Sequence, residues 1–421
     1  MKIAIYGMGN IGIPLACIFA SIGKVIGADI DKKKVEMINK GISPLPNEKR
    51  VPELLRKYIN EKRLIVTTDL EYAAKNSDVK VIIVPLILKN EKPDFSAVEN
   101  VSRVIGRNLK KNNLVIISTT MPLGATRNVV GKILEEESNL KAGEDFYLVY
   151  APERTMNPHV IEDLTEKWHQ IIGGVNEKSA LVAKRFYEKI NKKGVIIVKN
   201  CETAEMIKLL EGIYRHTNIA LANEIAKLCD KFKIDFNEVR ETFNLVPYYN
   251  LHFATIGVGG HCIPVYPHFV LDQVEEPDLI KPSIKLNKSM PEYCIEKLKK
   301  AVRNLRDKKI AILGLSYKGD VKEDRFSVTY EIIKILKENG ITKLFLFDPY
   351  FTKNEIEEKT GLTYIDLNNL SKVDGVIIAT EHESFKRISF PPNIEFILDG
   401  KNILNRDKIL KLGIKYIGVG R

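Results

Sequence analysis

Long hydrophobic runs are missing from this chain of 421 residues. The longest, such as LVII and VIIVPLIL, fall far short of the roughly 20 apolar residues that a membrane-spanning helix needs. The first residues, MKIAIYGMGN, form a strand-like run and lack the long apolar stretch and small-residue cleavage site of a signal peptide. We therefore expect a cytoplasmic protein without a membrane partner.

Cysteine is also scarce. The five cysteines are widely spaced, odd in number and contain no CxxC pair, so neither a disulfide framework nor a zinc cluster is expected. Cys17, Cys229 and Cys294 lie in helical patterns typical of small core residues. Only Cys262 lies in a glycine loop, GVGGHCIPVYP, whose bare backbone lets a ligand come close. Its thiol is either a nucleophile or a small buried side chain.

A concentrated basic segment is absent as well. The formal net charge is +11, but the lysines are scattered along the chain and no motif interleaves aromatic and basic residues. Nucleic acid is therefore not an expected partner. The pattern is typical of a solvated, lysine-rich surface, and it would also suit an anionic phosphate substrate.

Residues 1–200 alternate strand-like and helical segments. The strand-like runs are KIAIYG, KVIGAD, LIVTT, VKVIIVP, NNLVIIST, DFYLVYAPE and GVIIVKN. Most are continuous apolar runs, as expected for a parallel sheet that is buried on both faces. This pattern predicts a doubly wound α/β domain.

Residues 201–232 contain no proline and are apolar nearly all round, which predicts one buried helix about 48 Å long. A helix of this length favours packing against a second subunit, so we expect a homodimer or a higher homo-oligomer. Helical patterns continue to about residue 304, and residues 305–421 restart the α/β pattern. The predicted fold is thus α/β, with two Rossmann-like doubly wound domains, 1–200 and 305–421, joined by a long central helix and helical dimerisation region, 201–304.

The first strand ends in a glycine pattern, Gly7-x-Gly9-x-x-Gly12, that also opens a helix. In this context the pattern is typical of a dinucleotide-binding turn whose helix N-terminus faces the pyrophosphate. Asp29 follows the next strand, where a carboxylate binds a ribose 2′-hydroxyl and repels a 2′-phosphate. NAD is therefore favoured over NADP, although the lysines at 32–34 leave a phosphate site open.

Motifs along the whole chain resemble those of the UDP-glucose/GDP-mannose dehydrogenase family. They are GMGNIGIPLA, ADIDKKKV, STTMPLGAT, YAPER, TAEMIKLLEGIYRHTNIALANE, GVGGHCIP, NKSMPEY, LGLSYKGDVKEDR and DGKNIL. The resemblance implies NAD-dependent oxidation of a nucleotide sugar at C6. The GGHC form is most similar to the branch that acts on UDP-N-acetylhexosamines such as UDP-N-acetylmannosamine.

The family's chemistry is a four-electron oxidation of a primary alcohol to a carboxylate, with two NAD reduced. A first hydride transfer gives an aldehyde, a cysteine thiolate captures it, a second hydride transfer gives a thioester, and water releases the acid. Such a route needs an activated thiol, donors for an oxyanion and a base for water.

The resemblance implies a set of site residues, each by its place in a motif. The catalytic residues would be Cys262, Lys208 and Glu153. The cofactor-binding residues would be Gly7, Gly9, Asn10, Ile11, Gly12, Asp29, Lys34, Thr120 and Arg325. The substrate-binding residues would be Arg154, Thr155, Arg215, Gly259, Tyr317 and Lys318. No metal is expected at His261 and His268, because no carboxylate or second thiol is close to them in sequence.

The long helix also carries a polar stripe at three- and four-residue spacing: Glu205, Lys208, Glu211, Arg215 and Asn218. On a buried helix these side chains must find partners. They could serve a site or form an internal ladder of salt bridges.

Several positions depart from the family's pattern. Tyr266 stands where the family has an aspartate, Gly212 where it has an asparagine, and Tyr248 where the acetylhexosamine branch has an arginine. A neutral phenol, with a pKa near 10, cannot replace a carboxylate base at pH 7. The further departures are Leu86, Lys34, Lys401 and Glu323.

Two other functions stay open. A two-electron β-hydroxyacid dehydrogenase would share the first α/β domain and a lysine on a long helix, but it would need neither the second α/β domain nor the cysteine. A non-catalytic nucleotide-sugar-binding paralogue would explain the departures.

Overall fold

The computed structural model describes residues 1–155, 158–274 and 277–421. The chain divides into two compact units. The first comprises Met1–Glu211 with His268–Asp272, and the second comprises Gly212–Pro267 with Gln273–Arg421. The domain boundaries drawn from the sequence stay a prediction.

The first unit is built on an eight-stranded sheet. Its strands are β1 (Lys2–Tyr6), β2 (Lys24–Ala28), β3 (Leu64–Thr67), β4 (Val79–Ile82), β7 (Leu114–Ile117), β8 (Tyr147–Tyr150), β9 (Gln170–Gly174) and β10 (Val195–Val198), and β5 (Ile87–Lys89) and β6 (Lys92–Asp94) form a separate hairpin. The sheet order is β10-β9-β8-β7-β4-β1-β2-β3, with all pairs parallel except β8–β9. Strand order reverses between β1 and β4, the point at which doubly wound sheets bind ligands.

Both faces of this sheet are buried. Along β1, Ile3 and Ile5 belong to one buried cluster, and Ala4 and Tyr6 belong to another. Alternate residues of a strand point to opposite faces, so each face has its own core. The seven strand-like runs predicted for residues 1–200 are confirmed as strands, and β5, β6 and β9 are strands that the sequence did not predict.

Helices cover the sheet and continue through the chain. They are α1 (Gly12–Ala20), α2 (Lys32–Asn39), α3 (Val51–Asn60), α4 (Leu70–Lys75), α5 (Ser96–Arg107), α6 (Lys132–Ser138), α7 (Val160–Glu162), α8 (Glu177–Tyr187), α9 (Cys201–Phe232), α10 (Phe236–Phe243), α11 (Tyr266–Leu271), α12 (Ile280–Ala301), α13 (Val328–Glu338), α14 (Lys353–Thr360) and α15 (Arg406–Lys411). Two π-helical turns, Thr126–Gly131 and Asp163–Lys167, and three 3₁₀ turns, Leu305–Asp307, Leu367–Lys372 and Glu383–Arg387, complete them. None of the helices in the described ranges is long and apolar enough to cross a membrane.

The second unit contains a smaller parallel sheet. Its strands are β11 (Ile310–Leu313), β12 (Leu344–Phe347), β13 (Thr363–Tyr364), β14 (Gly375–Ile378), β15 (Phe396–Asp399) and β16 (Lys415–Gly418), in the order β13-β12-β11-β14-β15-β16. Alternate residues of β11 again enter two buried clusters, one of which includes α9 and α12 residues such as Ala226 and Cys294. The predicted second doubly wound domain is thereby confirmed.

Helix α9 spans the predicted residues 201–232 in one piece. Its apolar residues are not all buried, however. Tyr214, Leu221, Leu228 and Phe232, spaced by seven, seven and four residues, are 48–65% exposed. Residues repeating at this spacing lie on one side of a helix. The second unit therefore presents an exposed apolar stripe along α9.

A fully buried lysine in β4 should make the stability of the first unit depend on pH. Lys80 donates hydrogen bonds to the Ser77 carbonyl (2.6 Å) and to Asn113 Oδ1 (2.9 Å). Burial lowers the pKa of Lys80 from 10.5 to about 8, partly opposed by Asp78. Between these two pH values the unfolded chain binds a proton that the folded chain lacks. The free energy of unfolding should therefore rise by about 3 kcal/mol from pH 8 to pH 10.5.

Denaturant unfolding of the wild type and of Lys80→Met across this pH range measures the effect. The methionine variant loses two hydrogen bonds, which is a constant offset, and it should lack the rise assigned to Lys80. Parallel curves for the two proteins would contradict the assignment.

Candidate active site

The predicted dinucleotide turn lies at the carboxyl end of β1, beside the point where strand order reverses. Gly7 has φ 103°, and a Cβ on Gly12 would lie 1.8 Å from the Gly7 carbonyl oxygen, so the turn tolerates no side chain there. A Cβ on Gly9 would meet no atom within 4 Å, which leaves the turn open at this residue. Helix α1 begins directly afterwards with no side-chain cap and no acidic residue in its first turn. Its N-terminus therefore suits an anion.

Asp29 follows β2 and is held against this turn. Its carboxylate accepts hydrogen bonds from the Met8 N–H (2.8 Å) and from Lys34 Nζ (3.0 Å). The side chain of Asp29 is only 10% exposed. A carboxylate fixed beside the glycine turn suits a ribose hydroxyl. Lys34, one of the lysines that could bind a 2′-phosphate, is already paired with this carboxylate. These residues fit NAD.

Thr120 lies at the same edge of the sheet, after β7. It is half-buried, and the preceding Thr119 donates from Oγ1 to the Val84 carbonyl (2.7 Å) after β4. Strands β4 and β7 are neighbours, so Thr120 faces the edge at which the dinucleotide turn also ends.

The predicted catalytic lysine is buried in a cluster of charges. Lys208 Nζ donates to the Glu153 carbonyl (2.5 Å), and it lies 3.4 Å from Glu153 Oε1 and 3.7 Å from Glu211 Oε2. Its side chain is 7% exposed. Glu153 follows β8 and also accepts a hydrogen bond from Thr155 Oγ1 (2.8 Å). The first unit thus brings the three predicted site residues Lys208, Glu153 and Thr155 together.

The cluster also contains Glu211, which was not predicted to belong to the site. Arg154 donates to Glu211, which lies one turn from Lys208 on α9. Glu211 therefore holds the lysine and the arginine at once, and only its place on the polar stripe pointed to it.

Glu205 of the same stripe serves the fold instead. It is fully buried and accepts the N–H groups of Gly124 (2.6 Å) and Thr126 (2.8 Å) ahead of the first π-helical turn. Burial raises the pKa of Glu205.

In the second unit, Cys262 is half-buried, whereas the other four cysteines are buried. Its neighbour in the chain is His261, and the interaction with the thiol raises the pKa of His261. An imidazole beside a thiol is an arrangement that activates sulfur nucleophiles. The described residues contain no group of three or more His, Cys, Asp or Glu side chains that could hold a metal ion.

The segment before the cysteine is tied to α9 by two asparagines. Asn218 Oδ1 accepts the His252 N–H (2.8 Å), and Asn223 Oδ1 accepts the Thr255 N–H (2.8 Å). Asn223 in turn donates to Asn287 of α12 (2.9 Å). The loop that carries the thiol is therefore anchored by side-chain amides, and that of Asn223 is fully buried.

The glycines ahead of Cys262 are covered by protein. Gly260 has φ 91°, and a Cβ on it would lie 2.6 Å from the Tyr317 ring. A Cβ on Gly259 would lie 2.7 Å from the Phe326 carbonyl oxygen. We expected this bare backbone to admit a ligand, but at these two residues it admits the loop after β11.

That loop carries the predicted substrate residues Tyr317 and Lys318. Arg215 lies within electrostatic range of both. Burial lowers the pKa of Lys318, Glu381 opposes the change, and Arg215 adds to it, while burial raises the pKa of Tyr317 to about 12. Arg215 and Lys318 are thus two cations that act on each other, and such a pair suits a diphosphate.

Arg325 is held in place by one of the departures from the family pattern. Glu323 accepts from Arg325 Nε (2.9 Å) and Nη2 (2.8 Å), a two-pronged pair. The side chain of Arg325 is 56% exposed, so its guanidinium remains accessible.

The structure therefore assembles the predicted residues in two sets, one in each unit. The first unit holds the dinucleotide turn, Asp29, Lys34 and Thr120 at one edge of the sheet, and the charge cluster around Lys208. The second unit holds Cys262 with His261, the Arg215–Tyr317–Lys318 group and Arg325.

Comparison with known proteins matches the chain from end to end. Residues 1–191 match the NAD binding domain of the UDP-glucose/GDP-mannose dehydrogenase family, residues 202–290 match its central domain, and residues 311–406 match its UDP binding domain.

Individual relatives are similar over most or all of their length. A UDP-N-acetyl-D-mannosamine dehydrogenase of Pyrococcus horikoshii is 34% identical, with 100% of this chain and 99% of the relative covered. An NDP-N-acetyl-D-galactosaminuronic acid dehydrogenase of Ralstonia nicotianae is 33% identical, with 92% of each covered. The solved structure of the Pyrococcus horikoshii enzyme superposes with a TM-score of 0.91 over 100% of this chain and 99% of that one. The chain is an NAD-dependent nucleotide-sugar dehydrogenase and belongs to the UDP-glucose/GDP-mannose dehydrogenase family.

Proposed function

We propose that the protein oxidises the C6 hydroxyl of a UDP-N-acetylhexosamine, such as UDP-N-acetylmannosamine, to the carboxylate through covalent intermediates on Cys262. The observation that carries the proposal is the half-buried thiol next to His261, on the loop that packs against Tyr317. The names of the relatives support the sugar, since several act on UDP-N-acetyl-D-mannosamine.

The reaction balances with two cofactors and one water. The glycine turn and Asp29 would hold NAD, which would supply the hydride acceptor for each of the two oxidations. One proton is released in each oxidation and a third in the hydrolysis. The Cys262 thiolate adds to the C6 aldehyde to form a thiohemiacetal, which becomes a thioester at the second oxidation. Water then adds to the thioester carbonyl, the carbon–sulfur bond breaks, and the thiolate is regenerated with the carboxylate as product.

Other residues take roles that follow from their surroundings. Lys208, a buried ammonium, stabilises the oxyanion or relays the alcohol proton. Glu153, hydrogen-bonded to Thr155 and beside Lys208, activates the water. Arg215 and Lys318 bind the diphosphate, and Arg154 contacts the substrate. Arg325 approaches the cofactor.

Incubation with NAD and a panel of UDP- and GDP-sugars tests the proposal. We expect two NADH for each UDP-N-acetylhexosamine consumed and a uronic acid as product. One NADH per substrate molecule would favour a two-electron dehydrogenase. Ligand-induced thermal stabilisation without any NADH would favour a binding protein, and either result would contradict the proposal.

The exposed stripe of α9 supports a homodimer. Four large apolar side chains exposed at near-heptad spacing are typical of a helix that pairs with another copy. We expect sedimentation velocity to give a dimer or a higher oligomer, and Leu221→Glu with Leu228→Glu to shift it to the monomer. A wild-type monomer at micromolar concentration would contradict this. The cytoplasmic location stays a prediction.

A further inference from the structure

Two of the departures from the family pattern meet in space. Gly212 lies buried within α9, where glycine costs about 1 kcal/mol relative to alanine. A Cβ on Gly212 would lie 2.4 Å from Tyr266 Cδ2, 2.9 Å from its Cγ and 3.0 Å from its Cβ. These distances are too short for any side chain. The ring of Tyr266 therefore fills the volume that a residue other than glycine would need.

The backbone of Tyr266 is also hydrogen-bonded to that of Cys262. It is 7% exposed and is the first residue of α11. Its backbone N–H donates to the Cys262 carbonyl (3.0 Å), and the Val265 N–H donates to the same oxygen (3.1 Å). The turn that carries the Cys262 thiol therefore leads directly into Tyr266, whose ring packs against the backbone of α9 at Gly212.

We propose that Tyr266 is a positioning residue for Cys262. The lack of a side chain at Gly212 makes this possible, because the Tyr266 ring packs directly on the helix backbone there; we call this contact the seat of Tyr266. The seat is formed by ring carbons against backbone, so the hydroxyl is not required for it. Positions 212 and 266 must then change together, because a side chain at 212 displaces the ring and with it the turn of Cys262. The catalytic part of this inference rests on the proposed role of the thiol.

Alkylation of Cys262 by iodoacetamide tests the seat without any sugar substrate. The other four cysteines are at most 5% exposed, so the rate in the native protein reports on Cys262, and Cys262→Ala confirms the site of labelling. The variants are Tyr266→Phe, Tyr266→Ala, Gly212→Ala and the double variant Gly212→Ala/Tyr266→Ala. Rates are measured across pH, together with kcat, KM and Tm.

We expect Tyr266→Phe to stay within about threefold of the wild type in alkylation rate and kcat. Tyr266→Ala and Gly212→Ala should each shift the alkylation profile and lower kcat by about tenfold or more, with KM for the sugar changed by less than about threefold. The double variant should be no worse than Tyr266→Ala alone, because the seat is already lost.

Gly106→Ala is the matched control. Gly106 lies in α5, and a Cβ there would lie 2.6 Å from Glu137 Cβ, so the substitution crowds a helix in the same way at a site without a proposed catalytic role. It should lower Tm without changing the alkylation profile or kcat.

Three results would overturn the inference. They are multiplicative effects in the double variant, a Gly212→Ala protein that behaves as wild type, or a Tyr266→Phe protein that loses kcat at unchanged Tm. The last would assign the hydroxyl a chemical role. An absence of sugar oxidation would refute the proposed function alone, since the alkylation rates still decide whether the seat exists.

Discussion

Replacing Cys262 with alanine should abolish the second oxidation. Without sulfur the C6 aldehyde has no covalent partner, and turnover to the carboxylate should fall by about 10³-fold or more. With semicarbazide present to trap the aldehyde, the variant should release at most one NADH per sugar, measured by absorbance and by mass spectrometry of the trapped product. Loss of the second hydride alone is the result that distinguishes a covalent nucleophile from a packing residue.

Cys229→Ala is the control for this experiment. Cys229 lies in the same unit on α9 and is 5% exposed, so its replacement removes a thiol of the core. We expect full activity with a small loss of stability. Two NADH per sugar from the Cys262→Ala protein would refute the covalent route. A β-hydroxyacid dehydrogenase would not explain that result either, because its two-electron chemistry gives one NADH per substrate.

The sequence predicted the architecture well because its strands are continuous apolar runs and α9 has no interruption. It missed β9, because its sequence QIIGG has only two β-branched residues and ends in two glycines, which are depleted in strands. It also missed β13, because a two-residue strand has no period to detect. The π-helical turns at Thr126 and Asp163 lie inside helical patterns and differ from them only in hydrogen bonding.

Site residues were predictable where a motif carried them and not where tertiary contacts did. The family motifs pointed to Lys208 and Glu153, and the structure places them 3.4 Å apart. Spacing on α9 gave Glu205 and Glu211 the same weight, yet Glu205 holds a loop and Glu211 joins the charge cluster. A stripe fixes the direction of a side chain, whereas its partner comes from a distant strand or loop.

The Tyr266–Gly212 contact shows the same limit. Each departure was visible in the sequence, but only separately. The ring that fills the space beside Gly212 belongs to a residue 54 positions further along the chain, and nothing local links the two. Departures from a motif are therefore more informative in pairs than singly, once the coordinates show which of them touch.

Replacing Lys208 with methionine should lower kcat by about 10³-fold, within the range expected when a positioned acid–base or oxyanion-stabilising group is lost. The ammonium contacts the Glu153 carbonyl and lies within 3.7 Å of two carboxylates, so its removal takes away the only positive charge that faces both of them among the contacts described. KM for NAD should change by less than about threefold, because the dinucleotide turn is a separate feature of the sheet edge. Steady-state kinetics and a burst measurement of the first NADH give both quantities.

Lys80→Met is the matched control for the loss of a buried lysine. Lys80 also donates to a carbonyl and a side-chain oxygen within the first unit, but it lies in β4 and touches none of the predicted site residues that the structure describes. Both variants lose one buried cation and its contacts with oxygen atoms, so a general loss of packing should affect them alike. Of the two methionine variants, we expect only Lys208→Met to lose kcat. Lys208→Arg should recover part of that kcat, because the guanidinium keeps the positive charge but not the compact geometry of the ammonium. Equal losses in the two methionine variants would reduce Lys208 to a structural residue and leave Glu153 without its proposed partner.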